Sequence, residues 1–112
     1  MEEEQEIEVT TVPFHTIPEA KNIAPGKGMT VAVENRRVAL FNLDGNYYAI
    51  DDTCPHVGAP LGGGWVDGER VACPMHGWEF DIKSGKGLTV PGCSVTKYEV
   101  REENGEIQIS ID

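Results

Sequence analysis

Two short segments of the chain each contain one cysteine and one histidine. Cys54 and His56 form a Cys-x-His pair, and Cys73 and His76 form a Cys-x-x-His pair. Sixteen residues lie between His56 and Cys73. Thiolate sulfur and imidazole nitrogen are ligands for both zinc and iron. Four such side chains can complete one tetrahedral zinc site, or they can supply two terminal ligands to each iron of a two-iron, two-sulfide cluster. The pattern predicts one metal centre shared by all four side chains.

Both segments have the composition of loops. Proline fixes the backbone of turns, and glycine lets the backbone approach a ligand closely. The residues concerned are Pro55, Gly58, Pro60, Gly62, Gly63 and Gly64 around the first pair, and Pro74 and Gly77 around the second. Two loops of this kind would clamp the metal centre between their tips.

This part of the chain resembles the Rieske ferredoxins of bacterial ring-hydroxylating oxygenases. The similarity runs loosely from Val31 to Val100 and is dense between Ala49 and Pro91. It is carried by Cys54-Pro55-His56, Gly58-Ala59-Pro60-Leu61, Cys73-Pro74-Met75-His76-Gly77-Trp78, Phe80-Asp81, Gly85 and Pro91. The resemblance implies one Rieske-type [2Fe–2S] cluster whose ligands are Cys54, His56, Cys73 and His76.

A zinc site is the alternative for the same four residues. Zinc fingers usually pair cysteine with cysteine and histidine with histidine, whereas each loop here mixes the two types. The mixed pairs and their flanking residues favour the iron–sulfur cluster. A zinc-bound interaction module remains the less favoured reading.

Short β-branched and apolar runs between turn signals predict an all-β protein, either a sandwich or a barrel. The predicted strands and hairpins are Ile7–Val12, Met29–Glu34 with Arg36–Leu43, Tyr47–Asp51, Trp65–Val71, Trp78–Ile82, and Val95–Arg101 with Glu106–Ile111. The segment Phe14–Ala24 is expected to be irregular, and no helix is predicted. The resemblance implies the Rieske fold, a small antiparallel sandwich or barrel with an inserted cluster-binding subdomain at about residues 52–91.

Acidic residues dominate the charge of the chain. Nineteen acidic and nine basic residues give a net charge of −10, and residues 1–8 contain five of the glutamates. We expect residues 1–8 to be a solvated tail and residues 9–112 to form one Rieske domain. The remaining acidity disfavours nucleic acid and anionic membranes as partners, and it fits steering toward basic faces of other proteins. No apolar run is long enough to span a membrane and no signal-peptide features are present, so a cytoplasmic location is expected.

The sequence contains the cluster motif but none of the motifs of substrate chemistry. It has no glycine-rich nucleotide fingerprint and no nucleophile elbow. We therefore expect an electron carrier and not an enzyme. The resemblance implies that electrons come from a flavin-containing, NAD(P)H-dependent reductase and go to a terminal oxygenase. The alternative is the small Rieske subunit of an assimilatory NAD(P)H nitrite reductase.

Four positions differ from the high-potential members of the resembled family. The Rieske proteins of respiratory cytochrome bc complexes have two further cysteines where Ala59 and Met75 stand, so the disulfide between their loops is excluded here. They also have serine and tyrosine hydroxyls where Trp78 and Phe80 stand. Fewer donors to the cluster sulfurs would stabilise the reduced state less. We predict a midpoint potential in the lower part of the Rieske range of roughly −150 to +300 mV.

Two further expectations concern residues around the loops. Cys93 is left without an assigned role and is expected to be a small buried hydrophobe. Partner proteins are expected to dock on the cluster loops, although the same residues can also shield the cluster from water. The residues expected to contact partner proteins are Val57, Ala59, Pro60, Leu61, Met75 and Pro91.

Overall fold

The protein contains two antiparallel sheets. The computed structural model describes residues 13–55, 58–75, 77–90 and 92–111. The strands are β1 (His15–Thr16), β2 (Lys27–Val33), β3 (Arg36–Leu43), β4 (Asn46–Asp51), β5 (Trp65–Asp67), β6 (Arg70–Ala72), β7 (Glu79–Asp81), β8 (Lys97–Glu103) and β9 (Glu106–Ser110). The larger sheet has the order β1-β9-β8-β4-β3-β2, and the smaller sheet has the order β5-β6-β7. The smaller sheet is inserted between β4 and β8, which are neighbours in the larger one. The all-β class and the inserted subdomain are therefore confirmed.

Two hairpins of the large sheet have turns whose sequence determines their geometry. The turn from β3 to β4 contains Asp44 and Gly45, with φ of 60° and 90°. The turn from β8 to β9 contains Asn104 and Gly105, with φ of 56° and 78°. Positive φ at both central residues is the signature of the type I′ turn, which matches the twist of the strands that it joins. Both hairpins were predicted from these dipeptides, and both are confirmed.

Strand β3 contributes to two hydrophobic clusters at once. Successive side chains of a strand point to opposite faces. Val38 and Leu40 belong to the first cluster, while Ala39 and Phe41 belong to the second. The first cluster contains residues of the large sheet and of the N-terminal segment, and the second contains both predicted cysteine ligands. An uninterrupted apolar run in β3 is thus explained by burial on both faces.

The segment Phe14–Ala24 was expected to be irregular, and this expectation was wrong. It contains β1 and a 3₁₀ helix at Pro18–Asn22. Pro18 lies at the start of the helix, where the N–H that proline lacks would have no helical partner. Ile17 and Ala20 are buried in the first cluster, and the Ile17 amide donates to the Ile107 carbonyl at 2.8 Å. Packing on the sheet, which single-sequence patterns do not reveal, orders this segment.

Several expectations concern other short segments. A second 3₁₀ helix at Leu61–Gly63 was not predicted either. The predicted strand Ile7–Val12 and the acidic tail at residues 1–8 lie outside the described residues. Across the part of the chain that the structure describes, no helix has the length and apolarity that crossing a membrane requires.

Candidate functional site

The two loops that contain the predicted ligands have the same hydrogen-bonded frame. In the first loop, the Cys54 amide donates to the Ala59 carbonyl at 2.9 Å and the Gly58 amide donates to the Cys54 carbonyl at 2.7 Å. In the second loop, the Cys73 amide donates to the Trp78 carbonyl at 2.8 Å and the Gly77 amide donates to the Cys73 carbonyl at 2.9 Å. Each loop thus starts at a cysteine and is closed by the residues four and five positions later.

A glycine at the fifth position of each frame accounts for this geometry. Gly58 has φ of 75° and Gly77 has φ of 76°. This left-handed conformation is accessible to glycine and costs other residues free energy. A proline follows each cysteine and fixes φ near the value that a turn requires. Pro55 and Pro74 are in these positions, so local sequence alone largely determines the shape of both loops.

A third loop of the small sheet has the same frame without any predicted ligand. The Asp81 amide donates to the Lys86 carbonyl at 2.8 Å, and the Gly85 amide donates to the Asp81 carbonyl at 2.7 Å. Gly85 has φ of 81°. Here the Asp81 carboxylate accepts bonds from the Ser84 amide and hydroxyl, at 2.9 and 2.7 Å. The same pair of backbone hydrogen bonds therefore forms without a predicted ligand. The first two loops differ from the third because each of them starts at a cysteine.

Both cysteines are buried in the second hydrophobic cluster. Cys54 is 1% exposed and Cys73 is 0% exposed, and Phe80 and Leu61 lie in the same cluster. Neither Cys54 nor Cys73 nor Cys93 forms a disulfide. The fold therefore brings the two thiols from separate loops into one apolar environment. His56 and His76 lie outside the described residues, and within the described ranges no group of three or more potential metal-binding side chains occurs.

A buried carboxylate connects the first loop to the large sheet. Asp52 is 0% exposed and lies two positions before Cys54. Its Oδ1 accepts bonds from the Thr30 hydroxyl and the Gly62 amide, each at 2.8 Å. Its Oδ2 accepts a bond from Arg37 Nη2 at 2.9 Å. The Asp52 backbone carbonyl also accepts a bond from the Leu61 amide at 2.6 Å, so this residue is connected to the chain on both sides of the first loop.

Gly62 packs against the backbone of β2 at the same place. A Cβ atom on Gly62 would lie 2.5 Å from the Thr30 nitrogen, which is closer than real Cβ contacts allow. The absence of a side chain lets the 3₁₀ helix after the first loop lie directly on the sheet. Asp52, Thr30 and Arg37 were not identified from the sequence, whereas Gly62 was identified as one of the glycines around the first loop. The only available signal was an acidic residue directly after an apolar strand.

The donor set fits an iron–sulfur cluster. Fe–S clusters are held by cysteine thiolates, and an apolar surrounding limits access of water. Two buried cysteines without a disulfide, each at the start of a loop with a glycine in the left-handed conformation, would fit this requirement.

Residues 14–99 match the family model described as Rieske [2Fe–2S] domain. The chain belongs to the Rieske [2Fe–2S] family. Its cofactor is a Rieske-type [2Fe–2S] cluster, so the zinc alternative is wrong, and its activity is one-electron transfer. The cluster supplies a centre that accepts and returns a single electron. Cys54 and Cys73 would hold the iron–sulfur cluster beside the second hydrophobic cluster, which would shield it from water, and Asp52 connects the region of the first loop to the large sheet.

Similarity to other proteins supports this assignment. The ferredoxin component of the naphthalene 1,2-dioxygenase system of Pseudomonas putida is 33% identical over 91 residues, which is 80% of this chain and 88% of the relative. A chain in the complex of reduced oxygenase and oxidised ferredoxin of carbazole 1,9a-dioxygenase superposes with a TM-score of 0.77 and 27% identity, covering 89% of this chain and 94% of that one. A nitrite reductase small subunit from Mycobacterium tuberculosis has a TM-score of 0.83 and 29% identity, covering 91% and 97%.

The residues that were expected to form the docking surface differ in how exposed they are. Ala59 is 7% exposed and Leu61 is 0% exposed, so both were wrongly assigned to a surface. They pack in the second hydrophobic cluster, which supports the shielding alternative for them. Met75 is 64% exposed and Pro60 is also exposed. Val57 and Pro91 lie outside the described residues.

Two remaining expectations have mixed outcomes. Cys93 was expected to be buried, but it is half-buried. Phe80 and Trp78, which stand where the high-potential relatives have hydroxyl groups, differ in burial. Phe80 is fully buried in the second hydrophobic cluster, whereas Trp78 is half-buried and packs against it.

Proposed function

We propose that this protein is the ferredoxin component of a bacterial ring-hydroxylating oxygenase system. It accepts electrons from a flavin-containing, NAD(P)H-dependent reductase and delivers them to a terminal oxygenase, and it catalyses no reaction of its own. The similarity to the naphthalene dioxygenase ferredoxin, which extends over most of both chains, is the observation that carries the proposal. The net charge of −10 supports attraction to basic faces of the two partners. The proposal includes a cytoplasmic location, where NAD(P)H is available.

Four side chains are the proposed ligands of the iron–sulfur cluster. Cys54 and Cys73 supply thiolates, and His56 and His76 supply imidazole nitrogens. The common frame of the two loops supports this assignment, because each frame starts at a buried cysteine and has a histidine within the next three positions. Residues 52–91 would form the cluster-binding subdomain within a Rieske domain of residues 9–112.

The loop tips are the proposed place of electron entry and exit. Met75 lies at the tip of the second loop and is well exposed, although it is a large apolar side chain. An apolar tip lets a partner exclude water between its own cofactor and the cluster. Pro60 beside the first loop is exposed as well.

Reconstitution of electron transfer tests the proposal. The purified holoprotein is mixed with a ferredoxin reductase and a terminal oxygenase from the source organism, NADH or NADPH, and an aromatic substrate. We expect bleaching of the visible absorption by the reductase under anaerobic conditions, and hydroxylated product when all components are present. Omission of the ferredoxin is the control. Full product formation without it, or no reduction by any reductase of the organism, would refute the proposal.

The small subunit of a nitrite reductase is the second candidate. It is favoured by one observation, the TM-score of 0.83 with the Mycobacterium tuberculosis protein. Such a subunit would remain in a stable complex with a sirohaem protein. Affinity purification from the source organism distinguishes the two. Co-elution of a sirohaem protein together with NAD(P)H-dependent nitrite reduction would support the second candidate, and a chain that elutes alone would support the carrier.

A further inference from the structure

Among the described residues, three large hydrophobic side chains are exposed outside the larger sheet. They are Trp65, Met75 and Leu88, with exposed fractions of 66%, 64% and 43%. None of the three lies in the six-stranded sheet. Met75 belongs to the second cluster loop and its exposure is already explained by the proposed docking of partners. Trp65 and Leu88 lie outside both cluster loops and need a separate explanation.

Strand register places Trp65 and Leu88 in one row across the outer face of the small sheet. Trp65 pairs with Ala72, and Ala72 pairs with Glu79. The Leu88 amide donates to the Glu79 carbonyl at 2.8 Å, which adds Leu88 to the row. Residues opposite one another in an antiparallel sheet project from the same face. Ala72 precedes Cys73, so this row lies directly beside the second cluster loop.

The opposite face of the same sheet is already used for the core. Val71 and Phe80 are fully buried in the second hydrophobic cluster, and Val66 packs against it. The outer face therefore holds two exposed apolar side chains, Trp65 and Leu88, at opposite ends of the row, and the described part of the fold covers neither.

Charged side chains lie within and beside this row. The outer face also contains Asp67, Arg70 and Asp81, which pair with one another across the sheet. Arg70 lies 3.3 Å from the Glu79 carboxylate and 3.6 Å from the Asp67 carboxylate. Lys86 lies opposite Asp81 and belongs to the same face. Three carboxylates, one guanidinium and one ammonium leave an excess of one negative charge on the face. A complementary surface would offer apolar contacts to Trp65 and Leu88 and basic groups to the carboxylates between and beside them.

We propose that the outer face of the small sheet, defined by Trp65, Ala72, Glu79 and Leu88, is a docking surface for the terminal oxygenase. Trp65 is its anchor, since exposed tryptophan is the side chain most enriched among residues that dominate binding energy. The inference rests on the proposed function and extends the contact with the oxygenase from the loop tips onto the side of the subdomain. The solved complex of an oxygenase with a similar ferredoxin makes the oxygenase the partner of choice.

Steady-state kinetics of the complete system tests this surface. Trp65→Ser and Leu88→Ser are compared with the wild type while the ferredoxin concentration is varied against a fixed amount of oxygenase. We expect the KM for the ferredoxin to rise at least about fivefold for Trp65→Ser, the change expected when an interface anchor is removed. The kcat, the visible spectrum and the midpoint potential should not change. Trp65→Arg should raise KM further, because it adds positive charge opposite the basic groups of the partner.

Controls separate the surface from other causes of a weaker reaction. Glu99→Ser changes an exposed residue of the large sheet and should leave KM unchanged. Glu79→Gln should reduce the salt dependence of KM. An unchanged KM for Trp65→Ser overturns the proposal, and so does an increase confined to the reaction with the reductase. A wild-type dimer that Trp65→Ser abolishes would assign the face to a second copy of the chain and would also overturn it. If the reduced wild type supports no oxygenase turnover at all, the proposed function itself fails.

Discussion

Arg37 Nη2 donates to Asp52 Oδ2 at 2.9 Å, and this bond joins a half-exposed guanidinium to a fully buried carboxylate. Arg37 is the second residue of strand β3, and Asp52 directly follows the neighbouring strand β4, two positions before the first cluster loop starts at Cys54. The other carboxylate oxygen binds the Thr30 hydroxyl and the Gly62 amide. The buried carboxylate accepts three hydrogen bonds, so its polar atoms have partners in the interior. The same bonds connect the region of the first loop to the large sheet.

Removal of this carboxylate is expected to destabilise the protein. In Asp52→Ala the Gly62 amide and the Thr30 hydroxyl lose their partner, and an unsatisfied buried polar group costs about 1–3 kcal/mol. We expect the free energy of unfolding to fall by about 3 kcal/mol, measured by denaturant titration of the holoprotein. Glu99→Ala, which removes an exposed carboxylate paired with Lys97 at 3.6 Å, is the control and should change it by less than about 0.5 kcal/mol. Equal effects of the two substitutions would contradict the assigned role of Asp52.

The left-handed conformation of Gly77 can be tested without any change in packing. A Cβ atom at this position would meet nothing within 4 Å, so the cost of Gly77→Ala comes from the backbone alone. We expect a loss of about 1–2 kcal/mol, and a smaller loss for Gly77→Asn because asparagine tolerates positive φ better. Gly63→Ala is the matched control, since Gly63 also has open space around it but is not in the left-handed region. Thermal unfolding midpoints give the comparison, and an equal loss for alanine at both positions would contradict it.

Loss of a ligand is expected to abolish cluster binding. Cys54→Ser and Cys73→Ser replace the thiolates that the proposal assigns to iron, and serine is a much poorer ligand for an iron–sulfur cluster. We expect loss of the visible absorption and of at least most of the iron and sulfide, measured by chemical analysis. Cys93→Ser is the internal control and should retain both. Retention of a full cluster in Cys54→Ser, or its loss in Cys93→Ser, would show that the ligand assignment is wrong.

The midpoint potential is expected in the lower part of the range of roughly −150 to +300 mV that Rieske centres span. The reason is that Phe80, fully buried in the hydrophobic cluster of Cys54 and Cys73, has no hydroxyl to donate to a cluster sulfur. Phe80→Tyr should therefore shift the potential upward, as measured by protein-film voltammetry. Tyr48→Phe, which removes a hydroxyl from β4, should leave the potential unchanged. A wild-type potential near the top of the range would refute the argument.

Local sequence alone determined the cofactor motif and much of the secondary structure. The ligand pattern is contained in two loops of a few residues each, and proline and glycine shape these loops without help from distant residues. Asp44-Gly45 and Asn104-Gly105 likewise specify their turns through positive φ. Such features depend on the conformational preferences of neighbouring residues, and these preferences can be read in order along the chain.

Only the tertiary structure decided which of these residues are buried and which are exposed. Asp52 meets Thr30 and Arg37, which are 22 and 15 positions away, and sheet register brings them together. Register also places Trp65 and Leu88 on one outer face. Packing of the second 3₁₀ helix buries Leu61 in the hydrophobic cluster of the two cysteines, while Met75 remains exposed. A strand alternates between two faces, but its sequence does not say what covers each face. The loops that hold the cluster follow from the sequence, whereas the way they are fixed and presented depends on packing between distant strands.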